Sequence, residues 1–295
     1  VLEHIEKPSR AFHLAGIIPV AGKALDFNFP WHDCLQPIAQ NYLAVERAVV
    51  ECAYAGCETI WVVCHDDMQP LIRYRLGEYV QDPVYLFRKM SPGKPESYRR
   101  PIPIYYVPIH PKDKDKRDCL AWSVLYGAMA SYYTCKQISK WAAPDRYYTA
   151  FPYSVYDPEI LRQYRRNISS KEGFYLKYDE KTVKDGEYLG FTFNSDEFKH
   201  YRRELRKNAT GAKDGAPDKK LPLEKRWSAR HFTLDNVFGS AKIDDAKVVE
   251  LSWYYRIDSW KGLRTYMASD DDIGRPNKNM FSYHELNKIG ENIDE

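Results

Sequence analysis

The hydrophobic pattern changes period along the first half of the chain. Residues 12–20 form an apolar run that predicts a buried strand, whereas Tyr42, Val45, Val49, Cys52 and Ala53 recur at helical spacing up to an Ala55-Gly56 stop. Residues 59–64 are apolar on both faces, as a central parallel strand requires, and Asp66 or Asp67 is expected to cap a second helix reaching about Tyr79. Residues 102–107 predict another strand in spite of Pro101 and Pro103. A charged loop over residues 110–118 then leads into a mostly apolar helix over 119–138. Residues 146–151 give one more strand, closed by Asp157-Pro158-Glu159, where Asp caps and Pro takes the first helical turn. Alternating strands and helices predict an α/β fold with a mostly parallel central sheet flanked by helices, and a ligand at the carboxyl ends of its strands.

The second half is less regular. Residues 174–178 and 188–193 are expected to pair as a hairpin around Lys184-Asp185-Gly186-Glu187, and residues 196–207 to form a charged, exposed helix. Residues 208–221, rich in Gly, Pro and charge, read as a flexible loop. Residues 247–257 predict a strand, Ser259 caps a helix over 260–267, and the tail after Ser269 is polar. The chain divides accordingly into an α/β core over 1–165, an irregular α+β insertion over 166–245, and a strand and helix over 246–295 that return to the core.

At 295 residues the chain can bury a sizeable core, and 44 Lys+Arg against 41 Asp+Glu leave a net charge of +3. Without a global excess of charge, a nucleic-acid backbone or an anionic membrane is not the expected partner, and any basic site must be local. No run approaches the roughly 20 apolar residues that span a bilayer, and Glu3, Glu6 and Lys7 do not fit a signal peptide, so the expected location is cytoplasmic. The 24 Tyr against 12 Phe suit half-buried strands and contact surfaces whose hydroxyls need partners. Six cysteines outside any CxxC pair read as buried free thiols.

Three segments carry candidate chemistry. Ile17 and Ile18 lead into Pro19-Val20-Ala21-Gly22-Lys23, a strand ending in a small-residue turn that lets a ligand approach the backbone, with an ammonium just beyond for a phosphate. It matches neither the dinucleotide fingerprint nor the P-loop. In residues 110–118 the cations Lys112, Lys114, Lys116 and Arg117 stand between a strand end and a helix start, where they could bind a phosphate or pair with the interleaved Asp residues. His65-Asp66-Asp67 could ligate a divalent ion, but capping explains it more simply. Asp235 and Asp244-Asp245 read as turn residues. No arrangement argues for nucleophilic catalysis.

Five segments, in order, resemble the sugar-phosphate nucleotidyltransferases, enzymes of the GT-A type fold. Residues 17–22 are similar to that family's Ile-Ile-Leu-Ala-Ala-Gly strand, His32-Asp33-Cys34-Leu35-Gln36-Pro37-Ile38 to its Pro-Lys-Pro-Leu-Leu-Pro-Ile, and residues 55–63 to its Ala-Gly helix end and following strand. Residues 151–161 lie where it runs from Asn-Gly-Asp into Asp-Pro-Glu-Ile-Leu, and Ile257-Asp258-Ser259-Trp260-Lys261-Gly262-Leu263 resembles its Ile-Asp-Thr-Pro-Glu-Asp-Leu. The resemblance implies binding of a nucleoside triphosphate and a sugar phosphate, with Mg²⁺, and transfer of the nucleotidyl group with release of pyrophosphate. It assigns Pro19, Val20, Ala21, Gly22 and Lys23 to the nucleotide, Lys23, Lys116 and Arg117 to the developing charge, and Asp258 to the metal.

The departures are as informative. The family's phosphate-clamping Arg is absent, its activating Lys falls at His32 or Asp33, and the first of its two metal carboxylates aligns with Tyr153. These favour, as an alternative, a catalytically inactive binding or assembly protein on the same fold. A GT-A glycosyltransferase is a third reading, without the Asp-x-Asp at a strand end that would hold its metal. Homo-oligomerisation is left open, and the motif spellings look more viral than bacterial.

Overall fold

The computed structural model describes residues 12–22, 29–86, 101–139, 142–209, 228–274 and 280–282. The chain enters through β1 (Leu14–Pro19), forms a small antiparallel pair from β2 (Pro37–Ala39) and β3 (Tyr42–Leu43), and turns directly into α1 (Ala44–Ala55). Next come β4 (Thr59–Cys64), α2 (Gln69–Leu76), β5 (Tyr79–Gln81), α3 (Pro83–Leu86), β6 (Pro101–Pro108), α4 (Pro111–Arg117), α5 (Leu120–Ile138), β7 (Arg146–Thr149) and β8 (Ser154–Val155). The second half supplies α6 (Arg165–Ile168), β9 (Phe174–Lys177), β10 (Phe191–Phe193), α7 (Ser195–Ala209), α8 (Asp235–Phe238), β11 (Lys247–Glu250), β12 (Tyr255–Arg256) and α9 (Trp260–Met267).

Eight strands make one mixed sheet in the order β11-β9-β10-β7-β1-β4-β6-β5. The four strands predicted from apolar runs are its adjacent parallel centre, with Ile17 of β1 registered between Thr149 of β7 and Trp61 of β4. Such strands must be covered on both faces. Cys52 of α1 sits over Gly16 and Gly127 of α5 over Ile17, and since successive strand residues point to opposite faces, α1 and α5 cover opposite sides. Gly127 is small for a reason: a Cβ there would stand 2.7 Å from Val63 and 2.8 Å from Ile17.

β9 and β10 pair antiparallel, as the hairpin reading expects, and with β11 they extend the same sheet rather than forming a separate one. Successive strands are added on one side of β1 as far as β6 and then, with β7, on its other side. A crevice therefore opens at the carboxyl ends of β1 and β7, where open α/β sheets take ligands.

Four expectations need correction. The predicted strand over 247–257 is broken into β11 and β12, and β12 leaves the main sheet to pair with β8. The charged segment after His110 is a helix, α4, and not a loop, because Asp113 and Arg117 pair one turn apart at 3.0 Å and His110 caps it by accepting from the Lys112 N–H. α2 starts at Gln69 and is capped by Met68 with no side-chain bond, while Asp67 accepts from the Met68 N–H. It stops at Leu76, because Gly77 turns the chain with φ 77°. Of the expected flexible loop, residues 208 and 209 close α7 and residues 210–221 lie outside the described residues. Within the polar tail, residues 280–282 pack on the body of the protein: Ser282 Oγ accepts from the Glu78 and Tyr79 N–H groups, and Phe281 bridges Val80.

All six cysteines are buried free thiols. Among the described residues no helix is long and apolar enough to cross a membrane.

Candidate functional site

The turn after β1 is held from three sides. The N–H groups of Val20 and Ala21 both donate to the Val63 carbonyl, at 2.8 and 2.9 Å. Ser123 Oγ, from the first turn of α5, donates to the Ala21 carbonyl at 2.6 Å, and the Tyr153 hydroxyl donates to the Val20 carbonyl at 2.8 Å. Gly22 closes the turn with φ +79°, and a Cβ on it would lie 2.4 Å from the Cys119 carbonyl carbon. Val20 and Ala21 are buried. Lys23 lies outside the described residues.

Tyr153 fills the floor of the crevice. It is fully buried, its ring packs 5.6 Å from that of Tyr188, and burial, with Asp33 and Asp258 nearby, pushes its phenol well above the ordinary tyrosine value. The segment that carries it is braced from below by a buried ion pair on α1, Arg47 with Glu51 at 2.9 Å. Arg47 donates to the Phe151 carbonyl at 2.5 Å and lies over the Tyr156 ring at 4.5 Å, while the Tyr148 hydroxyl donates to Glu51 at 2.7 Å. From the other side the Ile257 N–H donates to the Tyr153 carbonyl at 2.9 Å, which seats β12 beside β8.

That pairing delivers Asp258 to a cleft of about 380 Å³ next to the crevice, walled by Tyr178, Lys181, Glu187, Tyr254, Arg256 and Lys261. Tyr178 follows β9 and Glu187 precedes the antiparallel β10, so both stand at the sheet edge where the parallel strands end. Asp258 Oδ2 accepts from Arg256, at 2.9 Å from Nε and 2.8 Å from a terminal nitrogen, and from the Tyr188 hydroxyl at 3.2 Å. The Arg256 guanidinium also lies over the Tyr188 ring, at 4.5 Å. Burial opposes its charge, but Asp258, Tyr188 and Glu187 outweigh burial and raise its pKa. Tyr254 donates to Glu187 at 3.0 Å. Ser259 caps α9 as expected, accepting from the Gly262 N–H.

These residues do not fit the two-carboxylate Mg²⁺ site that the resemblance implies. A neutral phenol spending its proton on a carbonyl is a poor ligand for a hard cation, and one oxygen of Asp258 already accepts an arginine and a tyrosine. Among the described residues no three His, Cys, Asp or Glu side chains gather as metal ligands.

Lys116 and Arg117 do not line this cleft. Lys116 is exposed on α4, and Arg117 pairs with Asp113 and covers Trp122 at 4.6 Å. His65 pairs with Asp118 at 3.3 Å. Asp235 begins α8 and Asp244-Asp245 form a turn, both local roles. Among the cleft residues that sequence reading missed are Tyr178, Lys181, Glu187, Tyr254, Arg256 and Lys261, with Tyr188 behind them as a partner of Asp258. Arg256 left a signal, since it precedes Asp258 by two positions at a strand end and so shares its face.

No family model matches the chain, and no curated protein matches it. Among solved structures, a protein from Bacillus anthracis described as a glucose-1-phosphate thymidylyltransferase, in complex with a sucrose, superposes with a TM-score of 0.52 at 11% identity, over 89% of this chain and 98% of its own. A UDP-glucose pyrophosphorylase complexed with UDP-glucose gives 0.49 at 13% identity, over 86% and 97%. At 11% identity, the first of these likenesses shows the fold alone: a nucleotidyltransferase-like Rossmannoid sheet.

Proposed function

We propose that this nucleotidyltransferase-like fold binds a sugar phosphate, or the nucleotide-linked sugar made from one, in the cleft that holds Asp258. The observation that carries this reading is the convergence there of Arg256, Lys181 and Lys261 with Asp258, Glu187 and three tyrosines, Tyr178, Tyr254 and Tyr255. The cations suit a phosphate, the carboxylates and phenols suit sugar hydroxyls, and ring faces suit the apolar side of a sugar. A volume of about 380 Å³ is within the range of small-ligand pockets.

The reaction such a fold would serve is nucleotidyl transfer from a nucleoside triphosphate. An oxygen of the sugar phosphate forms a bond to the α-phosphorus, the bond from that phosphorus to the bridging oxygen breaks, and pyrophosphate leaves with the electron pair. In-line displacement asks the protein for positioning and positive charge and not for a nucleophile. Arg256, which lines the cleft where Lys116 and Arg117 do not, is the proposed partner of the sugar phosphate, and Lys23, beyond the Pro19–Gly22 turn, is the proposed cation for the triphosphate. The described residues are a poor fit for Mg²⁺.

A second reading, a binding or assembly protein that has lost catalysis, is favoured by one observation: Tyr153 stands neutral and buried in place of a metal carboxylate. Two measurements separate the readings. A ligand that binds only the folded state raises its melting temperature, so a panel of sugar 1-phosphates at millimolar concentration is expected to shift wild type and not Arg256→Met. No shift with any of them removes the cleft from the proposal. Pyrophosphate release from wild type, with nucleoside triphosphate, Mg²⁺ and the same sugars, identifies an enzyme; binding without release identifies the non-catalytic role.

A further inference from the structure

A second cavity, of about 290 Å³, lies between α5 and α7 on the face of the sheet opposite α1, and it shares no residue with the Asp258 cleft. Its walls are the rings of Tyr132, Tyr133, Tyr147 and Phe198 with the Met129 side chain, and Arg202 stands among them. The helix face that makes these walls comes from Tyr132 and Tyr133 on α5 meeting Phe198 and Arg202, one turn apart on α7.

The charges around Arg202 are unbalanced. Its Nε–H is shielded from solvent and has no hydrogen-bond partner among the described residues. Burial, then the like charges of Arg206 and Arg117, press its pKa below the ordinary arginine value, and only Asp113 and Tyr133 act the other way. Asp113 is already committed to Arg117, and Lys199 to Asp196 at 2.8 Å. Arg202, the guanidinium that lines this aromatic cavity, thus feels the like charge of Arg206 and Arg117 while its neighbouring carboxylate, Asp113, is already paired. That excess is costly in the empty protein and favourable once an anion arrives.

We infer that this cavity is a binding site for a small aromatic anion, whose ring lies among Tyr132, Tyr133, Tyr147 and Phe198 and whose carboxylate or phosphate meets Arg202. An acceptor at the mouth gives the guanidinium fork something to turn toward, with charge-assisted bonds in the geometry arginine provides. The tyrosine rings discriminate for a flat ring by stacking or edge contact, and Arg202 discriminates against a neutral or cationic analogue. The cavity is at the small end of ligand pockets, which limits the body to at most about three rings.

The test is a fluorescence titration of the full chain with 8-anilinonaphthalene-1-sulfonate, an aromatic ring system bearing one anionic group, against its uncharged analogue N-phenyl-1-naphthylamine. Wild type is expected to bind the sulfonate saturably at one site. Arg202→Met, which keeps the aliphatic stem, is expected to weaken it about tenfold or more while leaving the neutral dye unaffected. Arg202→Gln serves if the Met variant fails to melt cooperatively. Arg256→Met should bind the sulfonate as wild type does. 4-Hydroxybenzoate and phenyl phosphate are then used to displace the dye, and whichever competes names the anion. Unchanged affinity in the folded Arg202 variant, loss of binding in Arg256→Met, or failure of both competitors overturns the assignment.

Discussion

The Tyr153 hydroxyl donates to the Val20 carbonyl at 2.8 Å across 133 positions of sequence, tying the segment after β7 to the turn after β1. One side chain thereby closes the crevice at the topological switch point and occupies the place where the resemblance implies a carboxylate. The same bond makes the site testable as structure before any ligand is found.

Tyr153→Phe removes the donor and leaves a buried carbonyl to lose its hydrogen bond. The expected cost is about 1–3 kcal/mol in a urea titration, read as a lower midpoint at unchanged slope. Wild-type stability in the variant would show that the bond does not hold the turn.

Gly22→Ala strikes the same turn from the other strand. The position needs φ +79° and a Cβ would meet the Cys119 backbone at 2.4 Å, so neither rotation nor a shift of a flexible side chain relieves it. A loss of at least about 2 kcal/mol is expected, measured by thermal or chemical unfolding. An Ala variant as stable as wild type would contradict the tight approach of α5 to this turn.

The buried Arg47–Glu51 pair gives a sharper test because its partners are unequal when left alone. Glu51→Gln keeps an acceptor for Tyr148 but strands a guanidinium that stays charged, an expected loss of about 3–5 kcal/mol. In Arg47→Met the remaining Glu51 can neutralise itself by taking a proton. Burial already raises its pKa in the wild type, and without the Arg47 charge to oppose burial the rise must be larger. Its stability is therefore fullest below the unfolded carboxylate value, about 4.3, and falls as pH rises through the raised folded value. Urea midpoints for Arg47→Met at pH 5 and pH 8 check the sign; a higher midpoint at pH 8 than at pH 5 would be the wrong one.

Alkaline unfolding should be steep. Burial holds the phenols of Tyr42, Tyr148, Tyr153, Tyr156 and Tyr254 well above the ordinary tyrosine value, and Tyr54, Tyr175 and Tyr266 are pushed up to about 12. A group with a raised folded value supports the fold below its unfolded pKa, about 10, and that support is lost as pH climbs toward the folded value, at about 1.4 kcal/mol per pH unit for each group. Several such groups acting together predict one cooperative transition between pH 10 and 12. Tyrosinate absorbance and loss of far-UV circular dichroism should coincide there; tyrosinate forming stepwise while the dichroism persists would show these phenols to be accessible.

The sequence by itself determined the central sheet. β1, β4, β6 and β7 are short apolar runs separated by helical periods, and a strand buried on both faces has to look like that wherever the chain goes next. The α9 cap at Ser259 and the hairpin of β9 and β10 were equally local, as bonds between near neighbours are. Asp113 and Arg117 show the limit of local reading: their four-residue spacing was visible, yet only the helix made it a pair.

Tertiary structure alone decided what each polar group is for. Arg47 and Glu51 have the spacing of a solvated helix face and are fully buried, because Phe151 and Tyr148 arrive from about a hundred positions away to satisfy them. Asp258 was singled out as a metal ligand, but the partners it meets include Arg256 and Tyr188, the latter 70 positions earlier. Burial and charge pairing depend on which distant surfaces meet, and that information is not carried by the period of hydrophobic and polar positions along the chain.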